Sequence, residues 1–523
     1  MAKNSKKRKN APEKVSSIAK KLKQDVPDTM SKPIHHGLTI SDVVAQAGMV
    51  GGLIYEDELE TTTETLITLA QNPALIGLKV LKPFKTAVHD YWRVAHETTN
   101  TGSSLTSRIS SALIDNRHVD ALVLLSEMAI REQLPKLGAL QRWVRECDAV
   151  LTPSMSQEEE NRVWQVLDAI LRTTQPEMIA STSSPHRGEG KLKQPGSKLL
   201  WFEPFGVDPG LPNPTKGEIA PITSPEALET SFNVLQPLQT TLGHERRPPN
   251  KHPMTIYFSP PTEPSPFPLL PASQRIRQPK RHEVVGVPGA FIINDALEKS
   301  ECDALVRAAE RIGMIPDEPT AGSATQLASV LAHNFVWLAD QEFIDGLYAR
   351  VVDLLPKEVN GGKVRGINRR FRLYRYRPGA LYRPHIDGAW PASALSTSST
   401  SLPTYSYVYD SDPTLYSRLT FLIYLNSSST TASPTPSSPP SIPIPADFTG
   451  GCTTFFLPSA THGILEARPV QPRAGTVCVF PHGAARGSLL HEGSGVIEGA
   501  KYVIRTEVLY EVDGSERVDV GFG

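Results

Sequence analysis

In the stretch YRPHIDG, residues 382–388, an imidazole and a carboxylate stand two residues apart at His385 and Asp387. If the backbone there is extended, the two side chains share a face and can hold one metal ion. With 14 histidines in the chain, a His-x-Asp triplet is expected about once by chance, and His118-Val119-Asp120 is another. That second triplet lies in a helical pattern, where residues two apart point roughly 200° from one another around the axis and cannot chelate together. His385 and Asp387 instead follow the strand-like RLYRYR and a turn at Gly379. One more histidine would complete a two-His, one-carboxylate face that leaves three positions of an octahedron open, the arrangement suited to non-haem Fe(II). His462, His482 and His491 are the candidates for it.

The elements that must position these residues fall in the C-terminal part of the chain. AFIINDALEKSECDALVRAAERIG reads as a strand followed by a helix, with Ser300 and Asp303 as a capping pair and Gly313 as the stop. A second helix is expected in DQEFIDGLYARVVDLL, ending near Pro356. Then come RRFRLYRYR, SRLTFLIYL, CTTFFL, GTVCVF and KYVIRTEVLYE, short strands divided by Gly, Pro and Ser turns with no helical pattern between them. That pattern predicts a sandwich or jelly roll rather than a parallel sheet. Residues 391–417 and 427–447 interrupt the series with Ser, Thr and Pro and are expected to be mobile surface loops.

Upstream, residues 38–175 are helical in pattern. In HVDALVLLSEMAIREQL, Leu122, Leu125, Met128 and Ala129 recur at spacings of three and four. Residues 176–282 turn to Pro, Ser, Thr, Gly and charge, a composition expected of a disordered linker, with WFEPFG (201–206) as a short docking segment inside it. The expected layout is therefore multi-domain: a basic disordered tail (1–37), a small α-helical domain (38–175), a linker (176–282) and a C-terminal catalytic domain with flanking helices (283–523).

The ordered set YRYRPG, YRPHIDG, IYLN, GGCTTFF, PRAGTVCVFPH and HEG…KY resembles the Fe(II)/2-oxoglutarate dioxygenases of the prolyl 4-hydroxylase type, over residues 283–512. The resemblance implies a double-stranded β-helix, a jelly roll, in which His385, Asp387 and His491 bind Fe(II). It implies that Lys501, ten residues after His491, pairs with the 5-carboxylate of 2-oxoglutarate, with Tyr424 sharing that carboxylate and Tyr376 lining the cosubstrate pocket. An ammonium beside a phenol suits a buried dianion, because charge-assisted hydrogen bonds are stronger than neutral ones. Arg505 competes for the role; in an extended strand it faces the same side as Lys501 but about 13 Å away, so without a bulge the two cannot serve one carboxylate. The family spacing favours Lys501. His482 is expected to support the site rather than ligate, while Arg383 and Arg377 are candidate substrate contacts. The implied reaction uses Fe(II), with 2-oxoglutarate and O2 as cosubstrates and ascorbate as a further candidate cofactor, and hydroxylates a C–H bond with release of succinate and CO2. Retention of Asp387, which related halogenases replace with a small residue, favours hydroxylation.

The separation of His385 from His491 exceeds the family's usual spacing by the two inserted stretches, so the substrate surface is expected to differ from that of collagen-type enzymes. The substrate is expected to be a protein side chain, with a small metabolite as the alternative and a non-catalytic interaction protein as a third reading; the helical domain is a candidate for recruiting a partner. A formal net charge of −1 argues against nucleic acid or anionic lipid as a general partner. Nine Lys or Arg against one acid in residues 1–24, centred on KKRK, fit a nuclear-import signal and a cytoplasmic or nuclear location. No apolar core follows this basic stretch and no run of about 18 apolar residues occurs, so neither secretion nor membrane spanning is expected. Cys147, Cys302, Cys452 and Cys478 are scattered without a CxxC pair and are expected to be reduced, mostly buried thiols.

Overall fold

The structure is a computed structural model that describes residues 49–50, 54–100, 104–152, 154–174, 190–192, 194–206, 234–320, 332–398, 403–429 and 447–512. The KKRK tail and most of the stretch 427–447 lie outside the described residues. The chain divides into two compact units, Met1–Lys82 and Pro83–Gly523. In the first, Met49–Val50 pairs with Ile54–Tyr55 and leads into helix Glu56–Gln71, which buries none of its residues. No described helix is long and apolar enough to cross a membrane.

The second unit is built around two facing sheets. Seven strands enclose the space between them: β1 (Arg370–Tyr376), β2 (Tyr382–Ile386), β3 (Leu415–Tyr424), β4 (Thr453–Pro458), β5 (Val477–Pro481), β6 (Leu490–Gly493) and β7 (Lys501–Glu511). The larger sheet runs Gln236–Thr241, Met254–Phe258, His333–Leu338, β1, β7, β3, β5, Phe291–Asn294, Lys280–Glu283. The smaller runs β2, β6, β4, Leu465–Val470, Leu199–Trp201, Lys191–Leu192. Period-two alternation sorts each strand between two cores. On β3, Leu419, Phe421 and Ile423 face the outer core while Leu422 and Tyr424 face the space between the sheets; on β7, Ile504 and Val508 point out and Val503 points in.

Helices cover both outer faces. The four helices α1 (Leu105–Ile114), α2 (His118–Ile130), α3 (Leu137–Val150) and α4 (Gln157–Arg172) share one apolar core with Ile386, Phe456, Leu465 and Leu490 of the smaller sheet. Helices α5 (Lys299–Ile312) and α6 (Gln341–Val351) pack on the larger sheet with Phe291, Phe371, Phe421 and Ile504. The start of α4 is fixed by Ser156 and Glu159, each accepting the other's backbone N–H. At α5 the pairing differs from the Ser300/Asp303 expectation. Glu301 reaches back to the backbone N–H of Glu298 at 2.8 Å, two residues earlier than expected, and Gly313 at φ 95° ends the helix as expected. The four cysteines are free and buried.

Three expectations are corrected. The stretch 38–175 is not one domain. A unit boundary falls at residues 82 and 83, and α1–α4 bury their apolar faces on the smaller sheet rather than on one another alone. The stretch 176–282 is not simply a linker. Gln236–Thr241 and Met254–Phe258 extend the larger sheet, the latter parallel to His333–Leu338, because main-chain ladder bonds and a few buried side chains such as Ile256 and Phe258 suffice at a sheet edge despite the Pro-rich surroundings. WFEPFG does dock, along Leu465–Val470, with Phe202 N donating to Ala467 O at 3.0 Å and Phe205 N to Pro469 O at 2.7 Å. Within 391–417, Ala394–Thr397 and Tyr405–Val408 form an antiparallel hairpin whose Leu395, Tyr405 and Tyr407 pack on Ile256 and Phe258; its Tyr and β-branched content outweighs its serines.

Candidate active site

Strand β2 is launched by the turn at Gly379, whose φ of 83° is open to glycine at no steric cost. It pairs antiparallel with β6 so that His385 stands opposite His491 and Ile386 opposite Leu490. The alternation sends both histidines and Asp387 into the space between the sheets and sends Ile386 and Leu490 out into the helical core. One ligand atom from each of His385, Asp387 and His491 lies within 4.8 Å of the others. His385 Nε2 is 3.4 Å from Asp387 Oδ1 and His491 Nε2 is 3.8 Å from Asp387 Oδ2. Adjacent donors about 2.1 Å from a six-coordinate ion stand about 3 Å apart, so small side-chain movements close these gaps on one metal.

The tautomers are prepared for this. His385 Nδ1 donates to Arg383 O at 2.8 Å and His491 Nδ1 donates to Leu489 O at 3.0 Å, leaving both Nε2 lone pairs free toward Asp387. Burial, and then the neighbouring His385, push the His491 imidazolium down to about 3, so His491 is neutral at ordinary pH. Burial would raise the Asp387 carboxyl, yet the Arg505 guanidinium beside it holds it well below the usual carboxylate range. A carboxylate and two imidazoles form a donor set that fits Fe(II).

The carboxylate is oriented by a hydrogen-bonded chain. Since Asp387 Oδ2 can only accept, the Thr420 hydroxyl donates to it at 2.7 Å. Thr420 Oγ1 therefore accepts from His482 Nδ1 at 2.7 Å, and His482 Nε2 accepts from the Ser417 hydroxyl at 2.7 Å. Ser417 in turn receives the backbone N–H of Trp390 at 2.7 Å. Burial pushes His482 down to about 3, which keeps it neutral, as this order of donors requires. His482 stands behind the triad, reaching Asp387 through Thr420, and His462 lies exposed in a turn and outside the cluster.

The space in front of the triad is lined by Tyr374, Tyr376 and Tyr382, by Thr453 and Phe480, and by Lys501 and Arg505 of β7. Lys501 is 3% exposed, and its Nζ lies 5.4 Å from the ring centre of Tyr376 and 5.8 Å from that of Tyr424. Burial lowers its ammonium to about 8. Tyr424 stands behind Thr453, its hydroxyl donating to Thr453 Oγ1 at 2.8 Å, so Thr453 is the group that reaches the cavity. The β1–β7 ladder is regular from Lys501 opposite Tyr376 to Arg505 opposite Arg372. With no bulge between them, Arg505 is carried away from Lys501 and onto the triad, its Nη2 3.2 Å from Asp387 Oδ1. Arg383, a candidate substrate contact, is instead committed to Asp148 of α3, Nε to Oδ2 at 2.6 Å.

Thr420 and Thr453 escaped the sequence reading, although period two on β3 places Thr420 on the same face as Tyr424. The edge of the site is graded in exposure. The side chain of His385 is 25% exposed, those of Asp387 and His491 5% and 7%. The triad is thus reached from the His385 side, with Lys501 at the closed end.

No known family's sequence model and no curated protein matches this chain. Among solved structures it is similar to the collagen prolyl hydroxylase of Paramecium Bursaria Chlorella virus-1 in its 2OG complex, at 17% identity and a TM-score of 0.24 over 43% of this chain and 97% of that one. It is also similar to the Trichoplax adhaerens prolyl hydroxylase in complex with a hypoxia inducible factor peptide fragment, at 16% identity and a TM-score of 0.27, covering 45% of this chain and 88% of that one. HygX from Streptomyces hygroscopicus with nickel and 2-oxoglutarate bound is similar at 12% identity and a TM-score of 0.24, covering 43% of this chain and 83% of that one.

Proposed function

We propose that residues 83–523 form an Fe(II)- and 2-oxoglutarate-dependent dioxygenase that hydroxylates a C–H bond of a protein side chain, built on a double-stranded β-helix. The observation that carries this reading is the pairing of the His385, Asp387 and His491 donors with a buried lysine on the same cavity. Fe(II) held by the triad would couple oxidative decarboxylation of 2-oxoglutarate by O2, yielding succinate and CO2, to insertion of one oxygen atom into the target C–H bond.

The chain's own residues divide the remaining work. Lys501 would hold the 5-carboxylate of the cosubstrate with a charge-assisted bond, the Thr453 hydroxyl would donate a second, and Tyr424 would orient Thr453 from behind. Tyr376 and Phe480 would exclude water from the chain of the dianion. Arg505 and Thr420 hold the two oxygens of Asp387, which fixes the carboxylate plane. The target side chain would enter over His385 and Tyr382, the exposed edge, while the cosubstrate occupies the closed end; a side chain projecting from a protein surface suits a site approached from one edge.

The test is Fe(II)-dependent formation of succinate from 2-oxoglutarate by the full chain, with His385→Ala and His118→Ala in parallel. His385→Ala should abolish metal binding and succinate release and His118→Ala should do neither; equal metal retention in the two variants would sink the assignment. Proteomic and metabolite mass spectrometry with active and His385→Ala protein, searching for gain of one oxygen atom, identifies the substrate class.

A further inference from the structure

Helix α3 carries two polar residues on a face that is otherwise apolar. Leu137, Leu140, Trp143, Val144 and Cys147 are buried there, and Gln141 and Asp148, seven residues apart and so on one stripe, are buried with them at 8% and 5% exposure. Burying an amide and a carboxylate is unfavourable unless each finds a partner. Both partners lie on the strand that presents the triad. Gln141 Nε2 donates to Ile386 O at 3.0 Å, the carbonyl between His385 and Asp387. Asp148 takes Arg383, two residues before His385, whose guanidinium also donates to Asp148 O at 2.9 Å.

The Gln141 amide also abuts the far side of Asp387. A Cβ built at Gly388 would stand 3.4 Å from Gln141 Nε2, so the amide spans the backbone on both sides of Asp387. From the other direction Gly483 N approaches Asp387 O at 3.4 Å. Asp387 follows the last residue of β2, beyond the ladder with β6 that ends at Ile386 opposite Leu490. Beyond the ladder with β6, the backbone of the carboxylate ligand is therefore held by helix α3 on one side and by Gly483 N on the other.

We propose that Gln141 is a positioning residue for Asp387, and that the helical layer α1–α4 is thereby a structural part of the metal centre. This inference rests on the reading of His385, Asp387 and His491 as metal ligands. The amide fixes the Ile386–Asp387 peptide plane and so the direction in which the carboxylate leaves the backbone, while Thr420 and Arg505 fix its rotation. Partners bonded directly to a ligand side chain typically change metal affinity by about 10- to 100-fold when removed, and Gln141, which bonds the preceding peptide, belongs at the lower end of that range.

The experiment measures Co(II) affinity of the full chain by calorimetry and by the Co(II) absorption spectrum, alongside thermal unfolding. Gln141→Met keeps the bulk of the side chain and removes the amide; Gln141→Glu keeps its shape and replaces the donor with an acceptor, and serves if the Met variant does not fold. Arg172→Met is the control. It loosens the same helical layer elsewhere, by cutting the bonds of Arg172 to Asp168 and to Ser459 O. Either Gln141 variant should weaken Co(II) binding by about tenfold and alter the Co(II) spectrum, with Arg172→Met at parental affinity despite a lowered melting temperature. Parental affinity and spectrum in a Gln141 variant overturn the inference and leave the triad standing, and equal weakening in Gln141→Met and Arg172→Met overturns it in favour of general loosening. A parent that binds no Co(II) overturns the triad and this inference together.

Discussion

Lys501 offers the sharpest test of the cosubstrate site, because its burial makes 2-oxoglutarate binding depend on pH in a calculable way. Burial lowers the ammonium to about 8 in the free protein, and a bound carboxylate would raise it again. Below pH 8 the lysine is already charged and affinity for the dianion should be flat; above it, binding must take up a proton, and affinity should fall by up to tenfold per pH unit. At pH 9 about a tenth of the lysine is protonated, so the apparent Kd should be about tenfold weaker than at pH 7, roughly 1.4 kcal/mol. Burial displaces several neighbouring groups out of this window. His491 and His482 sit at about 3, the Cys452 thiol at about 11 and the Cys478 thiol at about 12, each displaced by burial, and burial holds Tyr376 well above 10. Lys501→Arg should keep binding, at reduced strength, and lose the pH dependence, since a guanidinium stays charged throughout. Lys501→Met, which removes one partner of a buried charged pair, should cost about 2–5 kcal/mol of binding, or about 30- to 5,000-fold. The assay is titration of 2-oxoglutarate into the Co(II)-loaded full chain without oxygen from pH 6.5 to 9.5. A slope shared by parent and Lys501→Arg, or a Lys501→Met Kd within about threefold of the parent's, would refute the assignment.

Thr420→Val removes the hydroxyl between His482 and Asp387 and leaves a buried His482 N–H without its acceptor. It should cost about 1–3 kcal/mol in denaturant unfolding and lower Co(II) affinity severalfold; unchanged values in both would show the chain to be idle. Arg505→Met strips the Asp387 carboxylate of its cation at 5% exposure, so the metal-free protein should lose about 3–5 kcal/mol, and added Co(II) should restore more melting temperature than it adds to the parent. The pH sign follows from the depressed Asp387 pKa. With Arg505 present, the pair's stabilisation is full above about pH 4 and is lost as pH falls through the folded-state value, whereas in Arg505→Met the decline should begin at higher pH; coincident acid-unfolding curves would contradict this. A chain cut to residues 283–523 removes α1–α4 from Ile386, Phe456, Leu465 and Leu490 and should aggregate without binding Co(II), and a soluble, Co(II)-binding fragment would show the helical layer to be separable.

How much of the fold and site was legible in the sequence depended on how locally each feature is encoded. The triad spacing is local: two residues in extended backbone share a face, and β2 is extended where His118-Val119-Asp120 enters a helix. Glu301 taking the capping role expected of Asp303 is a miss by two positions, because several acids near a helix start can each reach the same orphan N–H groups. Arg505 was read as the competitor of Lys501 about 13 Å along the strand, and its contact with Asp387 was not read, since distance along a strand is readable and the strand across the cavity is not. The larger misses were all partnerships between distant segments. Gln236–Thr241 and Met254–Phe258 look like linker by composition and become sheet through main-chain bonds that composition does not record.

The helical layer shows why such partnerships matter for function. In the sequence, α3 is amphipathic with Gln141 and Asp148 as two blemishes on its apolar stripe, which reads as a weaker helix rather than as a site. The heptad spacing was there to be noticed: two polar residues seven apart on a buried face require two polar partners on whatever covers that face. Those partners prove to be Ile386 O and Arg383, on either side of His385. A region expected to recruit a partner is thus bonded, through Gln141 and Asp148, to the strand that carries His385 and Asp387, so a substitution on the buried stripe of α3 reaches the site without touching its cavity.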